Sequence, residues 1–190
     1  FRTTSAITTG PCCVTAASWH AGFVRAVVQR ADGASVAVAG TVVGSFDGPG
    51  LVILIGITHD DDQALASSLA DKIYDLRIFG REHARAAGVS LAPDVSREVS
   101  ASDLRLPVLV ISQFTLYADA RKGRRPTWDA AAPGPVAEPL VDAVAERFRA
   151  RGAEVATGIF GADMRVQLVN DGPMTITLDT TRNPPPPFVP

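Results

Sequence analysis

LVILIGIT, residues 51–58, decides how this chain folds: apart from Gly56 and Thr58 every position is apolar, most are β-branched, and none is charged. Such a run, bounded by turn residues, predicts a strand buried on both faces at the middle of a sheet. It falls far short of the ~20 apolar residues of a membrane-spanning helix. Upstream, residues 41–46 (TVVGSF) are joined to it by Asp47-Gly48-Pro49-Gly50, a turn signal, and the two pair. Further upstream, residues 24–31 (VRAVVQRA) and 35–38 (SVAV) are half-alternating and flank Asp32-Gly33, which predicts a hairpin of their own.

Downstream, Asp60, Asp61 and Asp62 supply an N-cap and acidic start for a helix whose apolar stripe runs through Leu65, Leu69, Ile73 and Leu76. Residues 80–102 contain Gly88, Pro93, scattered charge and no sustained period, and read as an inserted, mobile surface loop. PVLVISQF at 107–114 is a second buried strand, continuing into Thr115-Leu116-Tyr117-Ala118-Asp119 and a basic turn at 121–125 closed by Pro126. A second helix follows Pro133 and Pro135, with Leu140, Val141, Val144 and Phe148 on one face and Gly152 as its stop. Strands at 154–157, 164–169 and 174–178 complete the pattern, the last two joined by Asn170-Asp171-Gly172-Pro173. Strands and two helices in this order predict one α/β domain with curved, largely antiparallel sheets and helices on one side.

The chain has 190 residues, 46% of them hydrophobic, enough for one domain and one sizeable core. Eighteen basic against 20 acidic residues leave a formal charge of −2, without the overall basic excess of a nucleic-acid binder, so any RNA contact is local. The only cysteines, Cys12 and Cys13, are adjacent and make neither a disulfide framework nor a spaced ligand set. No metal and no cofactor are expected. Residues 1–23, rich in Ser, Thr and Ala, loosely resemble a transit peptide and are read as a disordered or extraneous extension. Residues 181–190 form a Pro-rich tail unfit for a sheet.

The chain lacks a phosphate-binding loop, a dinucleotide-binding Gly motif, a hydrolase nucleophile elbow and a zinc-protease signature. His20, His59 and His83 lie in the leader, at a strand end and in the irregular segment, none of them near a Ser or Thr in a promising strand-end segment, so structural or solvent roles are expected for them. Two segments carry unusual chemistry. In Ser112-Gln113-Phe114-Thr115 a hydrophobic strand ends in polar residues before a turn, where backbone N–H groups leave the ladder and can polarise a carbonyl. In Asn170-Asp171-Gly172-Pro173 the Gly-Pro step gives a rigid bend that, if cis, presents two carbonyl oxygens on one side, although on the residues alone an ordinary interstrand turn is the preferred reading.

VRAVVQRA, SQFTLYAD, KGRRPTW, FGADM and NDGPMTITLDT, in that order, resemble the D-aminoacyl-tRNA deacylases from residue 24 to about residue 180. The pairing of SQFTL with N-x-G-P-x-T is the specific part. The resemblance implies a cytoplasmic homodimer of three-layer α/β/β, barrel-like architecture, acting on D-aminoacyl-tRNA at a site shared between subunits. It implies that Ser112, Gln113, Phe114 and Thr115 line the pocket for the terminal adenosine and its aminoacyl group. Gly172 and Pro173 of the other subunit would select chirality, with Arg30 and Asn170 supporting them. L-substrates would be rejected by clash, while glycine would pass.

The amides of Phe114 and Thr115 are the candidate oxyanion donors, with attack by water assisted by the substrate's 2′-hydroxyl. A Thr115 nucleophile is the alternative, weakened by the lack of an adjacent base. Arg121, Lys122, Arg124 and Arg125 suit acceptor-stem phosphates, or else form a solvated face. A non-catalytic RNA- or nucleotide-binding domain of the same fold is the rival reading. Three departures stand out: Val24 at the family's initiator-methionine position, Met174 where a smaller β-branched residue is common, and a long 80–102 segment.

Overall fold

The computed structural model describes residues 24–92, 98–121 and 123–180; the expectations for residues 1–23, 181–190, Pro93 and Lys122 lie outside these. Two long strands open the fold, β1 (Arg25–Val38) and β2 (Thr41–Gly56), paired antiparallel from Arg25 opposite Gly56 to Val38 opposite Thr41. The separate hairpin expected around Asp32-Gly33 is not formed. The chain reverses at Ala39-Gly40, whose φ angles of 49° and 84° suit a two-residue hairpin loop. Alanine in the left-handed region carries no turn signal, which hid the reversal from the sequence. Asp32-Gly33 instead makes a bulge, with a register shift between Asp32 and Ala34 and Pro49 opposite Asp32. The two clusters of turn residues face each other and bend both strands without ending them.

The remaining elements are α1 (Gln63–Tyr74), β3 (Arg77–Phe79), α2 (Arg81–Ala86), β4 (Val99–Ser100), α3 (Ala101–Leu104), β5 (Val108–Ser112), a 3-10 turn (Phe114–Tyr117), α4 (Gly134–Ala150), β6 (Val155–Thr157) and β7 (Met164–Asp179). The main sheet has the order β6-β5-β2-β1-β7. The long β1/β2 and β1/β7 pairs are antiparallel, while β2/β5 and β5/β6 are parallel. LVILIGIT supplies the central strand, its alternate residues feeding two cores. Leu51, Ile53 and Ile55 face the helices, and Val52 faces the other way with Leu109 and Ile111.

The helical side is one layer: α1 and α4 pack together, with Tyr74 edge-on to Phe148 at 5.7 Å. Asp62 caps α1 by accepting the Leu65 N–H at 2.9 Å. On the opposite face, beyond the bulge, Ala34, Val36 and Phe46 fold over Val52, Leu109 and Ile111. The curl is tight enough that a β-carbon on Gly44 would lie 2.7 Å from the Thr157 carbonyl, so the far half of β2 nearly touches the edge strand β6. A mixed, strongly curved sheet under one helical layer results.

Two further expectations need correction. The segment 80–102 is not uniformly irregular: α2 and β4 lie within it and α3 begins in it, β4 pairs with β3, and His83, Ala84, Ser100 and Ala101 are buried. Helices of six and four residues are too short for an apolar stripe to repeat, so the pattern was invisible, and tertiary burial holds them. Asn170-Asp171-Gly172-Pro173 does not join two neighbouring strands. Both flanks of β7 pair with the same strand, Thr175 opposite Gln29 and Asn170 opposite Ala31, so the residues between them form an outward excursion opposite Arg30.

Candidate active site

The parallel strands β2 and β5 end together, and the chain leaving β5 turns immediately into the 3-10 turn at Phe114–Tyr117. A 3-10 helix leaves its first N–H groups without an intrahelical acceptor, and Phe114 and Thr115 occupy those positions. The Leu116 amide is the first to be bonded within the turn, to the Gln113 carbonyl at 3.2 Å. Gln113 N–H donates to the Ile55 carbonyl at 2.6 Å, tying the turn to the central strand. Gly56 permits the approach: a β-carbon there would lie 2.9 Å from the Tyr117 ring and 3.2 Å from the Gln113 carbonyl. Arg25 holds the other end, donating to the Leu116 carbonyl at 2.7 Å while paired with Asp179 and lying 5.0 Å from the Tyr117 ring centre.

A cleft of about 210 Å³ opens beside this turn, lined by Ser112, Gln113 and Phe114, by Ile55 and Ile57, and by Phe160 from the loop before β7. Among the described residues that line it, none is titratable. Phe114 is 57% exposed and meets Trp128 edge-on at 5.7 Å, which puts two aromatic rings at the mouth. The Thr115 hydroxyl accepts a hydrogen bond from the Gln113 side chain. Polar main-chain donors over an apolar floor suit a developing oxyanion, because charge–dipole attraction strengthens where water is excluded.

The second segment lies elsewhere in the protomer. The Gly172-Pro173 peptide is cis, both residues are exposed, and the feet of their excursion are tied down. Arg30, its side chain only 15% exposed, donates from Nε to the Asp171 carbonyl at 2.9 Å and from its terminal nitrogen to the Ile78 carbonyl. Asn170 Nδ2 donates to the carbonyls of Arg30 and Met174, each at 3.3 Å. Register separates the two segments. Ser112 is level with Ile55 and Ala26, the excursion lies opposite Arg30, and three strand spacings intervene, about 13 Å along the strands and about 14 Å across them.

The basic turn stands apart again, on a loop pinched by Asp119 pairing with Thr127. Arg121 clamps Asp119 at 2.6 Å, and that hydrogen-bonded guanidinium holds the Asp119 carboxyl far below the usual carboxylate range. Arg124 and Arg125 are exposed.

Residues 27–179 match the family model described as D-Tyr-tRNA(Tyr) deacylase. The chain belongs to the D-Tyr-tRNA(Tyr) deacylase family. Among members of this family, D-aminoacyl-tRNA deacylases of Streptomyces coelicolor and Cutibacterium acnes are 57% and 55% identical, covering 82% and 83% of this chain and 99% and 97% of their own length. A solved structure of a c-Myc DNA Unwinding Element Binding Protein is 35% identical, with a TM-score of 0.68 over 82% of this chain and 98% of that one. A probable eukaryotic D-amino acid tRNA deacylase, 17% identical with a TM-score of 0.69 over 83% of this chain and 100% of that one, shares the fold.

Within this deacylase-family fold, sequence reasoning missed four residues. Phe160 and Trp128 lay inside family-like motifs but carried no assigned role, since nothing local says that the first lines the cleft or that the second meets the Phe114 ring. Arg25 acts on a carbonyl ninety-one positions away, and His83, expected in a structural or solvent role with no link to the Gly172-Pro173 segment, is buried against Asp171. Long-range contacts of this kind have no periodic signature. Among the described residues no group of His, Cys, Asp and Glu is arranged to hold a metal, and no helix is long and apolar enough to cross a membrane.

Proposed function

We propose that this protein hydrolyses the ester joining a D-amino acid to the 3′ end of a tRNA, releasing the amino acid and free tRNA. The observation that carries the reading is a pair of unbonded main-chain amides, that of Phe114, which lines an apolar cleft whose lining holds no titratable side chain, and that of Thr115 next to it in the turn. In this mechanism the amides take the charge that develops on the ester carbonyl oxygen. Water adds to the carbonyl carbon, the ribose 2′-hydroxyl relays its proton, and the C–O bond to the ribose breaks with the proton passing to the leaving 3′-oxygen. Thr115 acts through its main chain, because its hydroxyl is bonded to Gln113 and the lining provides no base to activate it.

In the same reading the functional unit is a homodimer, and the Gly172-Pro173 excursion enters the cleft of the partner subunit. Its exposure supports this, as does its separation from the Phe114 turn within one protomer. Main-chain carbonyls of the excursion receive the substrate's amino group and leave no room for an L side chain, so D-aminoacyl and glycyl esters are hydrolysed and L-aminoacyl esters are spared. Phe114 and Trp128 offer faces for the terminal adenine. Arg121, Arg124 and Arg125, with Lys122 between them in the sequence, approach acceptor-stem phosphates.

A non-catalytic nucleic-acid-binding role is the second reading, favoured by the 35% identity to a solved relative whose name is that of a DNA-element binding protein. Matched D-Tyr-tRNA and L-Tyr-tRNA, incubated with the purified protein, separate the two. Rapid release of D-tyrosine alone is expected. Equal rates on both, or tight tRNA binding without turnover at any enzyme concentration, would remove the deacylase assignment.

A further inference from the structure

His83 is one of the buried titratable residues, with Asp61 and Tyr74, that the mechanism above leaves unused. It is 6% exposed, and a buried imidazole needs partners for both ring nitrogens. Its Nδ1 accepts the Gly80 N–H at 2.7 Å, and since a peptide N–H can only donate, Nδ1 carries no proton in the neutral ring. The proton is therefore on Nε2, which lies 2.6 Å from Asp171 Oδ2. Phe79 packs edge-on against the ring at 5.4 Å and fixes its plane. The other charged group nearby is Glu82, with Oε1 3.2 Å from Nδ1 and a side chain 73% exposed.

Asp171 is the residue immediately before the exposed Gly172-Pro173 step, and it is gripped from two elements. Arg30 on β1 donates from Nε to its carbonyl oxygen at 2.9 Å and lies 3.2 Å from its carboxylate. His83 on α2 takes the same carboxylate. Two directions of restraint fix an acidic side chain and its main chain together, whereas one would let the carboxylate swing towards the guanidinium. The geometry points to His83 as a positioning residue that sets the orientation of the Gly172-Pro173 excursion through Asp171, and thereby the D-over-L selectivity of the composite site. This rests on the deacylase reading above, and it ties the segment after β3, which carries no familiar motif, to the chemistry.

The test uses the full-length protein with His83→Ala, His83→Gln, Asp171→Ala and the His83→Ala/Asp171→Ala double variant. Two quantities are read: the ratio of D-Tyr-tRNA to L-Tyr-tRNA deacylation, and hydrogen exchange at the Gly172 and Met174 amides. Displacing a positioned group by about 1 Å costs up to ~10²-fold, so a fall of roughly 10–100-fold in the D:L ratio is expected for His83→Ala and for Asp171→Ala. The double variant should be no worse than either single one, because both remove one interaction. His83→Gln, which retains a donor near the Nε2 position, should recover most of the loss. Exchange at the two amides should rise in both alanine variants. A folded His83→Ala protein with the wild-type ratio and exchange would overturn the proposal, as would losses that multiply in the double variant. Should the wild type treat D and L esters alike, the deacylase reading fails, while the exchange measurement still decides whether His83 orders the excursion. Should His83→Ala not fold, Asp171→Ala and His83→Gln carry the same comparison.

Discussion

Phe114 and Thr115 together set a main-chain donor against the threonine hydroxyl, with kcat separating the amide from the adenine-facing ring, whose loss weakens binding. Phe114 opens the 3-10 turn, and proline is tolerated at the first position of a helical turn, where its fixed φ fits and its missing N–H satisfies nothing inside the turn. Phe114→Pro should lower kcat for D-Tyr-tRNA by ~10²–10³, the usual effect of one lost oxyanion donor. Thr115→Ala, which leaves both amides in place, should keep substantial activity in the same single-turnover assay. A reversed order of severity would identify the threonine hydroxyl as the nucleophile. Gly172 offers a second test, because a β-carbon there would press on the Asn170 side chain and lie 2.7 Å from the Met174 nitrogen. Gly172→Ala should therefore disturb the excursion and lower the D:L ratio roughly 10-fold or more, with the thermal midpoint little changed because both flanks of β7 keep their pairing. Of these residues, Phe114 and Gly172 were readable from their motifs. Phe160, Trp128, Arg25 and His83 were not, because each acts on a segment distant in sequence.

Among the elements, α1 and α4 had capping and apolar stripes long enough to read, and their packing adds an ionic clamp that no stripe announces. Asp71 on α1 receives Arg147 Nε at 2.8 Å and its terminal nitrogen at 2.9 Å, with Arg151 alongside at 3.4 Å. The Arg147 hydrogen bonds, and then the surrounding positive charge, hold the Asp71 carboxyl below its ordinary range despite partial burial. A carboxylate whose folded pKa is depressed contributes stability above its unfolded value, about 3.9, and loses that contribution as pH falls through the folded value. The thermal midpoint should accordingly drop as pH is lowered below about 4, and Asp71→Asn should flatten that part of the profile. The effect at neutral pH should stay within about 1 kcal/mol, since the carboxylate is 37% exposed and solvent screens the pair. An unchanged acid limb in calorimetry would show that the clamp does not matter. The short α2 and α3, by contrast, hold too few residues for a stripe and owe their form to what they are buried against.

For the whole molecule, the separation of the Phe114 turn from the Gly172-Pro173 excursion makes a quantitative demand. If each cleft is completed by the partner's excursion, a variant impaired in turnover and a variant impaired in selectivity can complement each other in mixed dimers. Phe114→Pro and Gly172→Ala proteins, unfolded together and refolded at equal concentration, should regain about a quarter of wild-type D-selective deacylation, because half the dimers are mixed and one site in each is intact. Activity no greater than the mean of the two parents would place both segments in one protomer's site. Light scattering on the same samples should give twice the chain mass.

Periodicity and turn chemistry in the sequence alone determined the buried centre of the sheet, the two long helices with their ends, and the motifs in which the Phe114 and Gly172 segments stand. These are local properties, set by alternation, apolar stripes and the backbone preferences of Gly, Pro and Asp. The tertiary structure alone decided that Asp32-Gly33 bends a hairpin instead of closing one, that Asn170 to Pro173 bulge from a single strand, and that His83 and Arg30 meet at Asp171. Each of those outcomes depends on which distant strand or helix supplies the hydrogen-bond partner, and a partner's position is a property of the folded chain.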